Sequence, residues 1–178
     1  MNSETLDTPV SPSRRQFLRS TAALGAAALA SNAAVVRAAT NKNSKLRIFQ
    51  IGVNGIGNMQ RKGLEGHPMV EFAGFCDVDK TAFAKVESDA YRSAWRISDY
   101  REAFANRLDQ FDAVIVDTPD FNHCPMMVTA LKNGKHVYGQ KPLVHQLDEL
   151  RIIREALKAS PGLYTQMGNQ RACTTGRM

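Results

Sequence analysis

The chain has 178 residues, of which 43% are hydrophobic and 22% charged, with a formal net charge of +6 and three cysteines. Part of that charge belongs to four arginines near the N-terminus, set against Glu4 and Asp7, and the remaining lysines and arginines are scattered among acids, so no nucleic-acid surface is expected. Cys76, Cys124 and Cys173 are few, odd in number and widely spaced, which argues against a disulfide framework or a metal knuckle and predicts no metal ligands.

The N-terminus reads as an export signal. Ser13-Arg14-Arg15-Gln16-Phe17-Leu18 precedes an Ala-rich run over 21–36, and Val36-Arg37-Ala38 supplies small residues where a signal peptidase cuts. Paired arginines, a weakly apolar core and a small-residue exit define a twin-arginine signal over 1–38, cleaved after Ala38. A membrane anchor needs about 20 strongly apolar residues, and Ser31 and Asn32 interrupt a run made mostly of Ala. No stable membrane span is expected. The export machinery is a predicted partner, and the protein is placed in the periplasm or otherwise outside the cytoplasm. Such substrates cross the membrane folded, so a cofactor can be loaded first, and the sparse cysteines suit folding in a reducing compartment. A polar linker follows at 39–45.

From Leu46 onward, apolar runs alternate with helical patterns. Strands are expected at 46–51, 70–76, 95–97, 113–116, 136–138 and 163–167, and helices at 56–66, 80–90, 100–106, 125–133 and 146–160. The 113–116 strand is β-branched and continuous, as a strand buried on both faces should be. In the last helix Leu147, Leu150, Ile153 and Leu157 share one face, which is the predicted core side. The repeated alternation predicts an α/β fold with a doubly wound parallel sheet of Rossmann type, a single domain over 46–170.

The first crossover opens with Gly52-Val53-Asn54-Gly55-Ile56-Gly57. In a dinucleotide fingerprint the first glycine permits the tight turn, the second lets the backbone approach a pyrophosphate, and the third lets helix and strand pack closely. Gly52 and Gly57 fill the first and third places; Asn54 stands in the second, with Gly55 after it. Asn is the residue after Gly most tolerant of left-handed backbone angles, so the turn is expected to survive. Alone, such a turn is as often an ordinary strand–helix connection. Asp77, at the end of the second strand, strengthens the dinucleotide reading, because a carboxylate there accepts hydrogen bonds from the adenosine ribose and repels a 2′-phosphate. NAD is therefore favoured over NADP, with Gly52, Asn54, Gly55, Ile56, Gly57 and Asp77 as cofactor-binding candidates. The alternative for Asp77 is a polar strand end.

Three later segments go further. They are Thr118-Pro119-Asp120-Phe121-Asn122-His123, Gly139-Gln140-Lys141-Pro142-Leu143, and Thr165-Gln166-Met167-Gly168-Asn169-Gln170. In this order, with the opening turn and Asp77, they resemble the N-terminal half of the Gfo/Idh/MocA oxidoreductases, over about 46–170. The resemblance implies NAD(P)-dependent hydride transfer with a sugar, cyclitol or related polyol. It assigns Thr118, Pro119, Asn122 and His123 to the wall of the nicotinamide side, adds Gln140 and Pro142 as cofactor neighbours, and makes Lys141 the catalytic residue at the reacting hydroxyl. An ammonium there stabilises developing alkoxide charge. The resemblance also makes Pro142 a stiffener of the backbone that presents Lys141, through a cis bond. Read without the family, Lys141 is a solvated lysine before a turn proline. His67, His136 and His145 have no partner at catalytic spacing and read as structural or surface residues.

Two departures from the family pattern stand out. Gln140 replaces a Glu, which removes a negative charge beside Lys141, and Asn54 replaces a Gly. The family also carries a C-terminal substrate domain, whereas the resemblance ends before the divergent stretch 171–178. The expectation is a truncated reading frame, with a freestanding module as the alternative. Two functions therefore remain: the cofactor domain of an exported oxidoreductase, or a dinucleotide-binding module without catalysis of its own.

Overall fold

Six strands and four α-helices follow one another in the order the apolar runs require, in a computed structural model that describes residues 45–169. The predicted signal at 1–38, nearly all of the 39–45 linker and the 171–178 tail lie outside the described residues. The strands are β1 (Leu46–Ile51), β2 (Val70–Cys76), β3 (Trp95–Ile97), β4 (Ala113–Val116), β5 (His136–Gly139) and β6 (Thr165–Met167). The helices are α1 (Gly55–Leu64), α2 (Tyr100–Asn106), α3 (His123–Lys132) and α4 (Leu147–Lys158).

All strands pair in parallel, in the order β3-β2-β1-β4-β5-β6. The chain winds outward from β1 to β3, then returns to place β4 against the other side of β1. Connections thus leave the carboxyl ends of β1 and β4 in opposite directions, which opens a crevice between them. This is the doubly wound α/β sheet expected from the alternation.

Each face of the sheet has its own core. Phe49, Ile51, Val114, Val116 and Val137 pack with Ala103, Met127, Leu131 and Ile153 from the helices on one side. Ile48, Phe72, Phe75 and Ile115 pack with Val53, Val86 and Tyr91 on the other. Phe49 is fully buried, 4.9 Å from Trp95 and 5.3 Å from Phe111 between ring centroids, and burial of such a side chain stabilises by roughly 1.5–3 kcal/mol. Strict alternation would put Phe72 and Phe75 on opposite faces. The β1–β2 register steps from Ile48–Phe72 to Phe49–Gly74, skipping Ala73, and this bulge brings both rings to one face, 5.5 Å apart. At Gly74 any Cβ would lie 2.3 Å from the Trp95 ring, so the bulge and the indole require a glycine.

The structure corrects two readings of the elements. The 80–90 segment is two 3₁₀ turns, Lys80–Val86 and Asp89–Tyr91, rather than an α-helix. Its carbonyls are taken from outside: Arg61 Nη2 donates to Lys85 O at 3.0 Å and Arg96 Nη2 to Val86 O at 2.8 Å. Tertiary donors replace the helical ladder. In α4 the buried stripe runs through Ile153 and Ala156 with Leu157 beside them, while Leu147 is 89% and Leu150 38% exposed. The apolar residues of its first half point to solvent because only the later stripe meets the sheet-side core. No described helix is long and apolar enough to cross a membrane.

Candidate cofactor site

The turn from β1 to α1 is shaped by what it must avoid. Gly52 has φ +89°, and a Cβ on it would lie 2.4 Å from the Asp117 carbonyl oxygen at the end of β4. A Cβ on Gly57 would lie 2.2 Å from the Gly52 carbonyl oxygen. The first and third glycines are therefore required by the approach of β4 and by the packing of α1 on its own turn. Asn54 behaves differently from expectation. Its φ is −96°, in the ordinary extended region, and its side chain caps α1 by accepting from Gly55 N at 2.9 Å. The left-handed residue is Gly55, at φ +49° with open space around it. The backbone freedom expected of Asn54 is supplied one residue later.

Asp77 reaches the same turn from the end of β2. Its Oδ2 accepts from Val53 N at 3.0 Å and its Oδ1 from Asp79 N at 3.0 Å. A carboxylate one strand over is thus tied to the glycine turn by a charge-assisted bond. From below, the buried Arg61 donates to Val53 O at 3.0 Å and to Asn58 Oδ1 at 2.5 Å, with its guanidinium 5.8 Å from the Phe75 ring centroid and 5.6 Å from that of Tyr91. Val53 is held through both its amide and its carbonyl.

A cleft of about 620 Å³ opens over the carboxyl ends of the central strands. It brings together Gly52, Asn54 and Asp77 with Thr118, Pro119 and Asn122, six of the residues singled out from sequence. The other candidates do not line it. Gly57, His123 and Gln140 are buried, Ile56 is half-buried, and Gly55, Lys141 and Pro142 are exposed. His123 has both ring nitrogens on backbone carbonyls, Nδ1 at 2.7 Å from Pro142 O and Nε2 at 2.8 Å from Thr118 O. Gln140 Oε1 accepts from Lys141 N at 2.9 Å. The Lys141–Pro142 peptide is cis. His67 accepts from Met69 N within its own loop, and His136, at the start of β5, accepts from Tyr164 N ahead of β6.

Other residues of the cleft were not found from sequence. Ser98 to Arg101, after β3, and Phe121, 62% exposed, complete the wall. Asp99 caps α2 by accepting from Arg101 N. That capping signal, directly after a strand, could have placed the segment at the carboxyl rim. Asp117 was also missed. It is buried, accepts from Gln50 Nε2 at 2.8 Å, and burial pushes its carboxyl up to about 6 against the pull of that hydrogen bond. Burial likewise pushes the Cys76 thiol up to about 12, as befits an inert core residue. No group of three His, Cys, Asp or Glu side chains among the described residues could hold a metal ion.

A turn whose first and third glycines admit no Cβ, an acid clamped to it, and a cleft at the reversal of strand order together define a dinucleotide-binding Rossmann domain. Residues 46–166, more than half the chain, match the family described as "Oxidoreductase family, NAD-binding Rossmann fold", and residues 11–31 match the twin-arginine signal sequence. The chain therefore belongs to the Gfo/Idh/MocA oxidoreductase family, in its NAD-binding domain, and is directed to the twin-arginine export route. An inositol 2-dehydrogenase of Rubrobacter xylanophilus is 28% identical over 116 residues, covering 64% of this chain and 32% of that protein. A glycosyl hydrolase family 109 protein of Saccharopolyspora erythraea is 32% identical over 160 residues, covering 78% of this chain and 35% of that protein. The scyllo-inositol dehydrogenase of Lactobacillus casei, solved with bound NAD(H) and scyllo-inositol, superposes with a TM-score of 0.67 at 16% identity, covering 74% of this chain and 38% of that one. The chain spans about a third of the length of the curated relatives it matches.

Proposed function

We propose that the β1–α1 turn and Asp77 hold the pyrophosphate and adenosine ribose of NAD, and that the wall from Thr118 to Asn122, with Gln140, Lys141 and Pro142, flanks the nicotinamide. The observation that carries this reading is the bond from Val53 N to Asp77 Oδ2, which puts a ribose-binding carboxylate and a phosphate-binding turn in one unit. The pair Gly52 and Gly57 supports it, since a side chain at either would collide with the main chain of β4's end or of the turn itself and deform the turn. Asp77 has no cation beside it for a 2′-phosphate among its described partners, which favours NAD over NADP.

The whole protein's reaction is proposed to be hydride transfer with a sugar, cyclitol or related polyol. NAD, when bound, supplies the hydride acceptor. Lys141 is exposed on the loop that His123 ties to the Thr118 turn, and there its ammonium would meet the carbinol oxygen of the substrate, stabilise developing alkoxide charge and take part in moving the hydroxyl proton. Gln140, neutral where the family has an acid, is buried and fixes the Lys141 amide through its side-chain carbonyl. His123 holds the Thr118 turn and the Pro142 backbone together, which keeps the two walls in register.

The 32% identity to a glycosyl hydrolase family protein supports a second chemistry on the same site, cleavage of a glycoside. The two are separated by their products. Titration of the purified chain with NAD, followed by addition of inositols, free sugars and aryl glycosides, tests both. Saturable NAD binding with net NADH formation supports the dehydrogenase. Binding with aglycone release and no net NADH supports the hydrolase. Binding without either supports a cofactor module lacking its own catalysis, and no binding of NAD sinks the assignment of the turn.

A further inference from the structure

Gln50 and Asp117 form a buried polar pair directly beneath the glycine turn. Gln50 stands on the same face of β1 as the core residue Ile48, where an aliphatic side chain would serve the packing, and it is 0% exposed. Its Nε2 donates to Gly57 O and to Asp117 Oδ2, both at 2.8 Å, the latter bond spanning 67 residues of sequence. The Asp117 backbone carbonyl is the atom that Gly52 makes room for, and Asp117 is part of the cleft wall at 7% exposure. Gln50 Oε1 and Asp117 Oδ1 have no hydrogen-bond partner among the described residues. A buried carboxylate with one donor and one idle oxygen is costly, and a purely structural role gives no reason to keep it.

We infer that Asp117, held by Gln50 under the phosphate-binding turn, is a positioning residue whose state of protonation sets the affinity for NAD, binding being tighter when it is protonated. The inference rests on the proposal that NAD binds at this turn. An ionised Asp117 places a negative charge behind the backbone that must receive a diphosphate, with low-dielectric walls between them. Like charges sharing such a site raise each other's free energy, and the proton relieves this. The coupling is reciprocal: if protonation favours NAD, NAD must favour protonation, and binding takes up a proton from the solvent. The charged and titratable groups facing Asp117 are Arg61 from α1 and His123 from α3, both of which oppose protonation, while Gln50 from β1 is neutral and Asp77, just after β2, shares the cleft. Burial outweighs them and pushes the carboxyl up to about 6.

The test is the NAD dissociation constant of the full chain measured between about pH 5.5 and 8 for wild type and Asp117→Asn, the fold being checked at each pH by circular dichroism. A one-unit rise of the Asp117 pKa on binding corresponds to about tenfold tighter binding at the acid end. The expected result is that slope in wild type, with an Asn variant that is flat within about twofold and binds at pH 8 as wild type does near pH 5.5. A wild-type slope below about twofold, or a slope that persists in the Asn variant, overturns the inference while leaving NAD binding in place. Failure of wild type to bind NAD at any pH sinks the site and the inference together. Should Asp117→Asn not fold, carboxyl-13C aspartate labelling of wild type decides: one aspartate titrating near 6 and moving upward with added NAD sustains the inference, and the absence of such a resonance, or its indifference to NAD, ends it.

Discussion

His123 sits between Thr118 and Pro142, with Nε2 2.8 Å from the Thr118 carbonyl and Nδ1 2.7 Å from the Pro142 carbonyl. The Thr118 turn follows β4 and the Lys141–Pro142 loop follows β5. One fully buried ring therefore spans two neighbouring loops that the strands themselves do not join. Both partners are acceptors, so a neutral ring donates to one of them and a doubly protonated ring to both.

Replacing His123 by Ala removes that span and leaves a cavity. The expected loss of stability is about 2–4 kcal/mol, from the unpaired carbonyls and the vacated volume. His123→Gln, which keeps a donor, should recover part of it. Chemical denaturation of the three chains measures this, and an Ala variant as stable as wild type would remove the strut role.

Gly57→Ala tests the shape of the turn. The added methyl meets the Gly52 carbonyl at 2.2 Å and Gln50 Nε2 at 3.1 Å, and neither a backbone oxygen nor a buried, bonded amide yields easily. Overpacking of this kind costs about 1–3 kcal/mol. NAD-induced stabilisation in a thermal melt should disappear along with it. Gly63→Ala, inside α1 where nothing lies within 4 Å, is the control: it should keep the NAD-induced shift and stabilise the chain by up to about 1 kcal/mol.

Asp77→Ala should weaken NAD by about 10–100-fold, the worth of hydrogen bonds to a charged acceptor at 1.5–3 kcal/mol. It also frees the Val53 amide that Asp77 now holds. NADP binding should weaken less, because the carboxylate that repels its 2′-phosphate is gone, so the ratio of the two dissociation constants should narrow. Parallel titrations with both nucleotides give that ratio directly. An unchanged ratio would separate Asp77 from the ribose.

Asp117 makes a prediction about stability that needs no ligand. Its folded pKa, about 6, lies above the ordinary carboxylate value of 3.8, so the folded chain holds this proton more tightly than the unfolded chain. The contribution is fully present below about pH 4 and is lost as the pH rises through 6, amounting to about 3 kcal/mol for the two-unit shift. Relative to wild type, Asp117→Asn should therefore be most stable at pH 8 and lose that advantage toward pH 4. Urea midpoints across this interval check the sign, and a difference that does not vary with pH would refute it.

Much of the architecture was readable from local pattern. Four of the strands, 46–51, 70–76, 95–97 and 113–116, have the bounds expected from sequence, the central ones because a parallel strand inside the sheet must be apolar on both faces and its ends must turn away. Gly52, Gly57 and Asp77 were legible for a related reason: a strand–turn–helix with an acid at the next strand end is a short-range arrangement in which each residue type answers a steric or electrostatic need.

What chain-local reasoning did not reach was decided by contacts between distant segments. Asn54 looked like a strained turn residue, but the strain passed to Gly55 because the Asn side chain was free to cap the helix. The apolar residues 147 and 150 matched a helical stripe, yet α3 and the sheet met only the stripe of Ile153 and Ala156, since a helix buries the side its neighbours touch and not every side that is apolar. Gln50 and Asp117 carry no motif at all. Their meeting depends on β1 and β4 becoming adjacent after two strands have been wound away in the other direction, and hydrogen bonding between them follows from burial that only the assembled sheet imposes. Sequence by itself determined the elements, the glycine turn and its acid, because those are governed by backbone sterics and side-chain period; the tertiary structure alone decided which polar groups were stripped of water together, because desolvation belongs to the packed whole.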